Sequence, residues 1–218
     1  MVREMNNIVI ISLPGMSMEV IAKLAERGIL TTLKRIMEEG SFGVLTSVIP
    51  TLTPTVWASL LTGTYPNKHG ILDHCIVNND KKITINASYL RVPTILSILN
   101  KEGINVGFLG VPLFYHPQEV TCFLVSGYAD SRNDIKVFPH ELLNELNRKF
   151  SIQNMYRSIK WYKPKSEIEF IDNMIEVTKK EGEVMSYLLT KYNCDFIIGN
   201  FFFIEEVHHY LWKYITML

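Results

Sequence analysis

Short apolar segments alternate with helix-forming segments along this chain, and this alternation constrains the fold more than any other feature. The segments 8–13, 106–111 and 196–204 are nearly continuous apolar runs. Such runs are typical of strands that are buried on both faces of a sheet. Helical patterns lie between them, for example at 18–27 and 166–191. The alternation predicts an α/β fold with a mostly parallel, doubly wound sheet and helices on both faces.

The length of the chain is consistent with one domain. A chain of 218 residues can bury the core of a single α/β unit, so we expect residues 1–218 to form one domain. The segment 130–164 is more polar and irregular than its surroundings. It predicts an insertion or a partly separate cap. A further strand is expected at 44–48.

Composition excludes some partners and compartments. Lys+Arg and Asp+Glu both number 22, whereas a broad nucleic-acid surface is usually basic. The apolar runs are too short to span a membrane, and the N-terminus lacks a secretory pattern. Cys75, Cys122 and Cys194 are scattered, which is typical of reduced thiols packed in a cytosolic protein. We expect a soluble, cytoplasmic protein that binds neither nucleic acid nor a membrane.

A helix start at Thr53 introduces the first candidate for chemistry. Thr53 is predicted to be the N-cap, with Pro54 at the first helical position and Gly63 at the C-cap. A hydroxyl there lies beside free backbone N–H groups and the positive end of the helix dipole, which attract phosphate. Threonine is also a common N-cap, so a capping role and a chemical role both remain open.

Polar or turn-forming residues follow several predicted strands. Pro14, the segment 46–53, Pro112 and Glu205 each come directly after one. Because the carboxyl ends of strands in an open α/β sheet form the ligand crevice, we expect Thr53 and Glu205 to share one site despite their separation in sequence.

Other histidines, lysines and aromatics have simpler interpretations. His69 lies in the predicted turn after the Thr53 helix and is expected to be structural. His74 lacks a partner at ligand spacing, so a surface or loop position is expected. Lys81 and Lys82 are predicted to be solvated, and Trp57 is predicted to pack in the core.

The segment 50–71 carries many fixed positions of a known motif. It resembles the phosphodiesterase/nucleotide pyrophosphatase branch of the alkaline phosphatase superfamily, which includes predicted phosphohydrolases and phosphomutases. The segments 103–112, 124–128 and 205–212 are similar to further motifs of that family, and the resemblance covers only the N-terminal portion of the family domain. The matching positions in the first motif are Pro50, Thr51, Thr53, Pro54, Trp57, Ser59, Thr62, Gly63, Pro66, His69, Gly70 and Ile71.

The resemblance implies metal-dependent hydrolysis of a small phosphate ester. In the family a threonine at the position of Thr53 attacks phosphorus, and two divalent metal ions, often zinc, assist it. Thr53, Glu205 and His209 occupy metal-ligand positions in this resemblance. Glu205 and His209 are four residues apart and lie on one helix face. Glu206 and His208 form a competing pair one step around the same helix.

The chain departs from the family pattern at several ligand positions. Pro14 stands where the family has a metal-binding aspartate, and proline offers no ligand atom. Glu205 replaces an aspartate and is longer by one methylene. The family's later ligands lie beyond position 218. We therefore expect impaired catalysis, with zinc or manganese as cofactor if the chain is active and none otherwise.

These departures leave a second hypothesis open. The chain could be a catalytically inactive, truncated homologue that acts as a binding or interaction module, or a gene fragment. In the family, strands that follow this point complete the sheet. Their absence would expose an edge, so we expect an oligomer or a complementing polypeptide.

Overall fold

The computed structural model describes residues 7–78, 81–114, 120–126, 135–153 and 164–215. A five-stranded sheet lies at its centre, in the order β1-β7-β4-β5-β6. All neighbouring strands in it are parallel except β5 and β6. The strands are β1 (Ile8–Ser12), β4 (Val106–Leu109), β5 (Phe123–Val125), β6 (Val137–Phe138) and β7 (Phe196–Asn200). This arrangement confirms the mostly parallel α/β fold.

Helices and a separate hairpin surround the sheet. The hairpin consists of β2 (Cys75–Asn78) and β3 (Lys81–Thr84), which pair antiparallel. A short 3₁₀ helix spans Ala87–Tyr89. The α-helices are α1 (Met18–Glu26), α2 (Thr31–Glu39), α3 (Thr53–Thr62), α4 (Pro66–His69), α5 (Ile95–Lys101), α6 (His140–Phe150), α7 (Glu167–Lys191) and α8 (Phe203–Ile215).

Two apolar clusters show that the sheet is covered on both faces. One cluster joins Ile197 of β7 to apolar residues of α6 and α7. The other joins its neighbour Ile198 to α3 and α5. Successive side chains of a strand point to opposite faces, so the predicted doubly wound arrangement is confirmed. No helix within the described ranges has both the length and the apolar character needed to cross a bilayer.

Helix α3 begins one residue away from the predicted position of its cap. Leu52 is the N-cap, Thr53 is the first helical residue, and Pro54 follows it. Gly63 ends the helix in the left-handed conformation, with φ of 63°. The prediction that Thr53 is the N-cap is therefore wrong. Its side chain is not used to cap the helix.

Two further expectations are wrong. The segment 44–48 forms no strand, and Val44 and Leu45 are 86% and 92% exposed, because none of the described strands pairs with it. Cys122 and Cys194 are joined by a disulfide that links the starts of β5 and β7, while Cys75 is free. Both bonded cysteines are buried in the core, as expected for their packing role.

The predicted insertion at 130–164 is only partly described. Residues 127–134 and 154–163 lie outside the described ranges. Between them, β6 extends the sheet, and Leu142 and Leu146 of α6 are buried in the core. The insertion stays a prediction.

His69 is a buried structural residue at the end of α4. It has no exposed surface. Its Nδ1 accepts a hydrogen bond from the Ile71 N–H at 3.1 Å. The neutral ring therefore carries its proton on Nε2, which donates to Ser59 Oγ at 2.9 Å. Burial lowers the pKa of His69 below its ordinary value of 6.5.

We expect the stability of the fold to decrease below pH 6.5 because of His69. Its pKa is lower in the folded than in the unfolded chain. The unfolded chain therefore binds more protons between these two pKa values, and the free energy of unfolding falls as pH falls through that window. The slope for one group is at most about 1.4 kcal/mol per pH unit.

Urea unfolding of the native chain and of His69→Gln between pH 5 and 7.5 measures this effect. The pKa of His208 is also lowered, which adds a change of the same sign, and the raised pKa of Glu206 adds one of opposite sign. The difference between the two proteins isolates His69. Identical pH dependence in both would contradict the assignment.

Candidate active site

A cavity of about 480 Å³ lies at the carboxyl edge of the sheet. Its walls come from the loop after β1, the start of α3, the hairpin, the loop after β4, and the junction between β7 and α8. The lining residues are Pro14, Thr53, Pro54, Trp57, His74, Cys75, Lys82, Thr84, Ile85, Gly110, Pro112, Asn200, Phe202, Glu205 and Glu206. Thr53 and Glu205 thus line one cavity, together with Pro14 and Pro112.

Thr53 enters this cavity from the first turn of α3. It is partly buried. Across the described ranges, its hydroxyl makes no hydrogen bond with another protein group. The first amides of a helix have no intrahelical partners, so the hydroxyl and backbone donors lie at the same end of α3. This end of the helix can accept an anionic oxygen.

Helix α8 and the loop after β1 also contribute to the cavity, and they pack closely together. A Cβ added to Gly15 would lie 3.2 Å from the backbone N and Cα of Glu205 and 3.1 Å from His208 Nδ1. Gly15 also has φ of +87°, which favours glycine. The loop that carries Pro14 is therefore held against the first turn of α8.

The carboxylates and imidazoles of α8 have distinct environments. Glu205 Oε1 lies 4.0 Å from His209 Nε2, and their side chains are 36% and 69% exposed. Glu205 lines the cavity, whereas the more exposed His209 is not among its lining residues. Burial raises the pKa of Glu206, an effect that nearby His209 partly offsets. Burial and the neighbouring His209 lower the pKa of His208.

These residues do not fit the two-metal centre that the resemblance implies. Pro14 supplies no ligand, and no three His, Cys, Asp or Glu side chains in the described part of the chain are grouped so that they could share an ion. Two donors at about 2.1 Å from a tetrahedral ion lie about 3.4 Å apart. The Glu205–His209 distance of 4.0 Å is longer than that value, so the two side chains would have to move closer together to share one ion.

Several lining residues were not anticipated. His74 and Lys82 are exposed, as expected, and the hairpin also places both at the cavity. A signal for the hairpin is present in the sequence, since residues 75–78 and 81–84 flank Asn79 and Asp80, which are turn-forming types. Asn200 was hidden inside an apolar run. Trp57 is 5% exposed and packs in the core, as predicted.

Comparisons with known proteins agree with this architecture. A model of the type I phosphodiesterase / nucleotide pyrophosphatase family matches residues 8–216. Two similar structures are of phosphonoacetate hydrolase from Sinorhizobium meliloti 1021, one in complex with phosphonoacetate and one with phosphonoformate. Both are 19% identical to this chain, with TM-scores of 0.52 and 0.51. No curated protein matches the chain at a significant level.

The fold and the position of the cavity at the carboxyl edge of the sheet define an α/β protein that shares the fold of these solved structures. The chain belongs to the type I phosphodiesterase / nucleotide pyrophosphatase family. The comparison with phosphonoacetate hydrolase covers 89% of this chain and 45% of that one. The chain thus spans less than half the length of these solved relatives.

Proposed function

We propose that this chain carries a phosphate-ester site of the phosphodiesterase type, with Thr53 as the nucleophile. One observation carries the proposal: Thr53 and Glu205, 152 positions apart, line the same cavity at the carboxyl edge of the sheet. The Thr53 hydroxyl at the N-terminal end of α3 bonds to no group in the described part of the chain, which supports a chemical role over a capping role. The proposed substrate is a small phosphate ester.

The proposed reaction has two steps. Thr53 Oγ1 forms a bond to phosphorus, the bond from phosphorus to the ester oxygen breaks, and the proton of the threonine hydroxyl ends on the departing alcohol. Water then attacks the phosphothreonine and restores the hydroxyl, with phosphate or a phosphomonoester as the product. The helix amides stabilise the developing negative charge. A threonine hydroxyl is a weak nucleophile without activation, so turnover is expected to be slow.

Thr53→Ala is expected to reduce hydrolysis to the background rate. The measurement is release of nitrophenol from bis-p-nitrophenyl phosphate, with zinc or manganese added. Thr53→Ser is the matched control, because it keeps a hydroxyl and should retain measurable activity. Equal rates for the native chain and Thr53→Ala would contradict the proposal.

A non-catalytic binding role is the second candidate. Pro14 at a ligand position and the absence of a three-ligand group among the described residues favour it. In that case the cavity binds phosphate esters without cleaving them. Calorimetric binding of inorganic phosphate, together with no Thr53-dependent turnover, would distinguish this role from the first.

We further propose that β1 binds another polypeptide, either a second copy or a complementing chain. β1 is at the edge of the sheet, and its Ile8, Val9 and Ile11 are 55%, 43% and 57% exposed. Parallel strands are usually buried on both faces, and an apolar edge favours strand pairing. Val44 and Leu45 add further exposed apolar surface.

Light scattering after size-exclusion chromatography tests this proposal. The purified chain is expected to elute as an oligomer at micromolar concentration. Ile11→Lys places a charge on the edge strand and should reduce the measured mass towards that of one chain. A monomer in the native protein would contradict self-association.

A further inference from the structure

Asn200 is a buried polar side chain in the wall of the active-site cavity. It is the last residue of β7 and is 3% exposed. Its Nδ2 donates a hydrogen bond to the carbonyl oxygen of Gly110 at 3.1 Å. Its Oδ1 is buried and has no hydrogen-bond partner among the described residues. Asn200 thus lines the cavity and carries a buried acceptor that has no donor among the described residues.

The orientation of the Asn200 amide is determined by its surroundings. A rotation that exchanged Nδ2 and Oδ1 would direct the oxygen at the Gly110 carbonyl, which is also an acceptor. Gly110 and Asn200 approach each other closely, since a Cβ added to Gly110 would lie only 2.6 Å from the Asn200 backbone oxygen. Nδ2 therefore bonds this carbonyl, and Oδ1 has no donor among the described residues.

A buried carbonyl oxygen without a donor is uncommon, because it loses its hydrogen bonds to water and gains none in return. A ligand that brings a donor restores the missing bond. Asn200 shares the cavity with Thr53, and the acceptors Glu205 and Glu206 lie in the same wall region after β7. Lys82 and the start of α3 supply donors elsewhere in the cavity. The protein could therefore donate hydrogen bonds to the phosphoryl group of a ligand and accept hydrogen bonds from its alcohol part.

We propose that Asn200 determines specificity for phosphate esters whose alcohol part carries a hydrogen-bond donor. The phosphoryl group lies at Thr53, and a hydroxyl or ammonium group of the alcohol part donates to Asn200 Oδ1. This inference rests on the proposed phosphate-ester site. A site built to pair with a donor discriminates against an analogue without one, because its buried acceptor is then left unpaired.

Calorimetric titration of the native chain with matched small ligands tests this inference. The ligands are inorganic phosphate, propyl phosphate, glycerol 3-phosphate and phosphoethanolamine. At least one of the last two is expected to bind at least about tenfold more tightly than propyl phosphate, which lacks a donor on its alkyl part. Preference for glycerol 3-phosphate identifies the donor as a hydroxyl group, and preference for phosphoethanolamine identifies it as an ammonium group.

Asn200→Leu is expected to remove this preference, so that glycerol 3-phosphate and phosphoethanolamine bind it no more tightly than propyl phosphate does. Asn200→Asp keeps an oxygen in place and is expected to keep the preference for phosphoethanolamine. Thermal unfolding checks that each variant folds. If neither variant folds, the comparison of the ligands on the native chain decides whether a donor on the alcohol part increases affinity.

The outcomes separate the two proposals. Equal affinity of the native chain for all the esters would overturn the role of Asn200 and leave the phosphate-ester site intact. A preference that persists in folded Asn200→Leu would overturn it too. Failure to bind any of the ligands, including inorganic phosphate, would overturn the phosphate-ester site and this inference with it.

Discussion

Pro14→Asp is expected to increase the affinity of the chain for zinc or manganese at least about tenfold. The substitution adds a carboxylate to a cavity that Thr53 and Glu205 already line. The loop that carries position 14 packs on the first turn of α8, so the new carboxylate would lie near Glu205. A third ligand completes the set that catalytic zinc sites usually have.

A gain in hydrolysis should accompany the gain in affinity. A bound divalent ion lowers the pKa of a coordinated hydroxyl and stabilises the charge on phosphoryl oxygens. Isothermal titration with zinc and with manganese measures affinity, and bis-p-nitrophenyl phosphate measures hydrolysis. Adding Glu205→Asp to Pro14→Asp shortens the second carboxylate and tests whether its length limits coordination.

Ser17→Asp provides the matched control for the added charge. Ser17 lies three residues further along, does not line the cavity, and caps α1 through its side chain. Aspartate is also a good N-cap, so this variant should fold normally. If Pro14→Asp, Ser17→Asp and the native chain bind metal equally, the proposed geometry of the ligand positions is wrong.

Gly110→Ala is expected to destabilise the fold by about 2–5 kcal/mol. Gly110 has φ of +72°, and a left-handed conformation costs a residue with a Cβ about 1–2 kcal/mol. The added Cβ would also lie 2.6 Å from the Asn200 backbone oxygen. Such overpacking lowers the free energy of unfolding by a further amount of about 1–3 kcal/mol. Chemical denaturation measures the sum as a shift of the unfolding midpoint.

Gly103→Ala separates the two contributions. Gly103 has φ of +70°, and a Cβ added to it would meet nothing within 4 Å. This variant should therefore show only the conformational cost, about 1–2 kcal/mol. Equal destabilisation by the two substitutions would show that β4 and β7 do not approach each other as closely as the structure indicates.

Local signals in the sequence were sufficient to predict much of the fold. Apolar runs identified β1, β4 and β7, and the pairing of threonine with proline identified α3. The position of the cap was wrong by one residue, because Leu52 and Thr53 are both compatible with a helix start and side-chain identity alone does not decide which is first. The strand expected at 44–48 is absent, because a strand requires a neighbour and none of the described strands pairs with that segment.

The candidate site was predictable only in part. Glu205 comes after β7, and the rule that ligands bind at the carboxyl edge of a sheet placed it together with Thr53. The strand expected before Thr53 is absent, although the two residues do line one cavity. The positions of Lys82 and His74 depend on where the hairpin folds over the cavity, which is a long-range property. Nothing in the sequence distinguishes Asn200 from any other polar residue at the end of a buried strand. Only its contact with Gly110 in the folded structure marks it as part of the site.

The sequence by itself determined the alternation of strands and helices, the family, and the presence of a threonine at the start of α3. These properties follow from periodicity, turn residues and short motifs, which depend on neighbours along the chain. Tertiary structure alone decided which side chains meet in the cavity, that Asn200 Oδ1 has no donor among the described residues, and that β1 is at the edge of the described sheet. Contacts between residues distant in sequence depend on strand order and packing, and no local pattern specifies them.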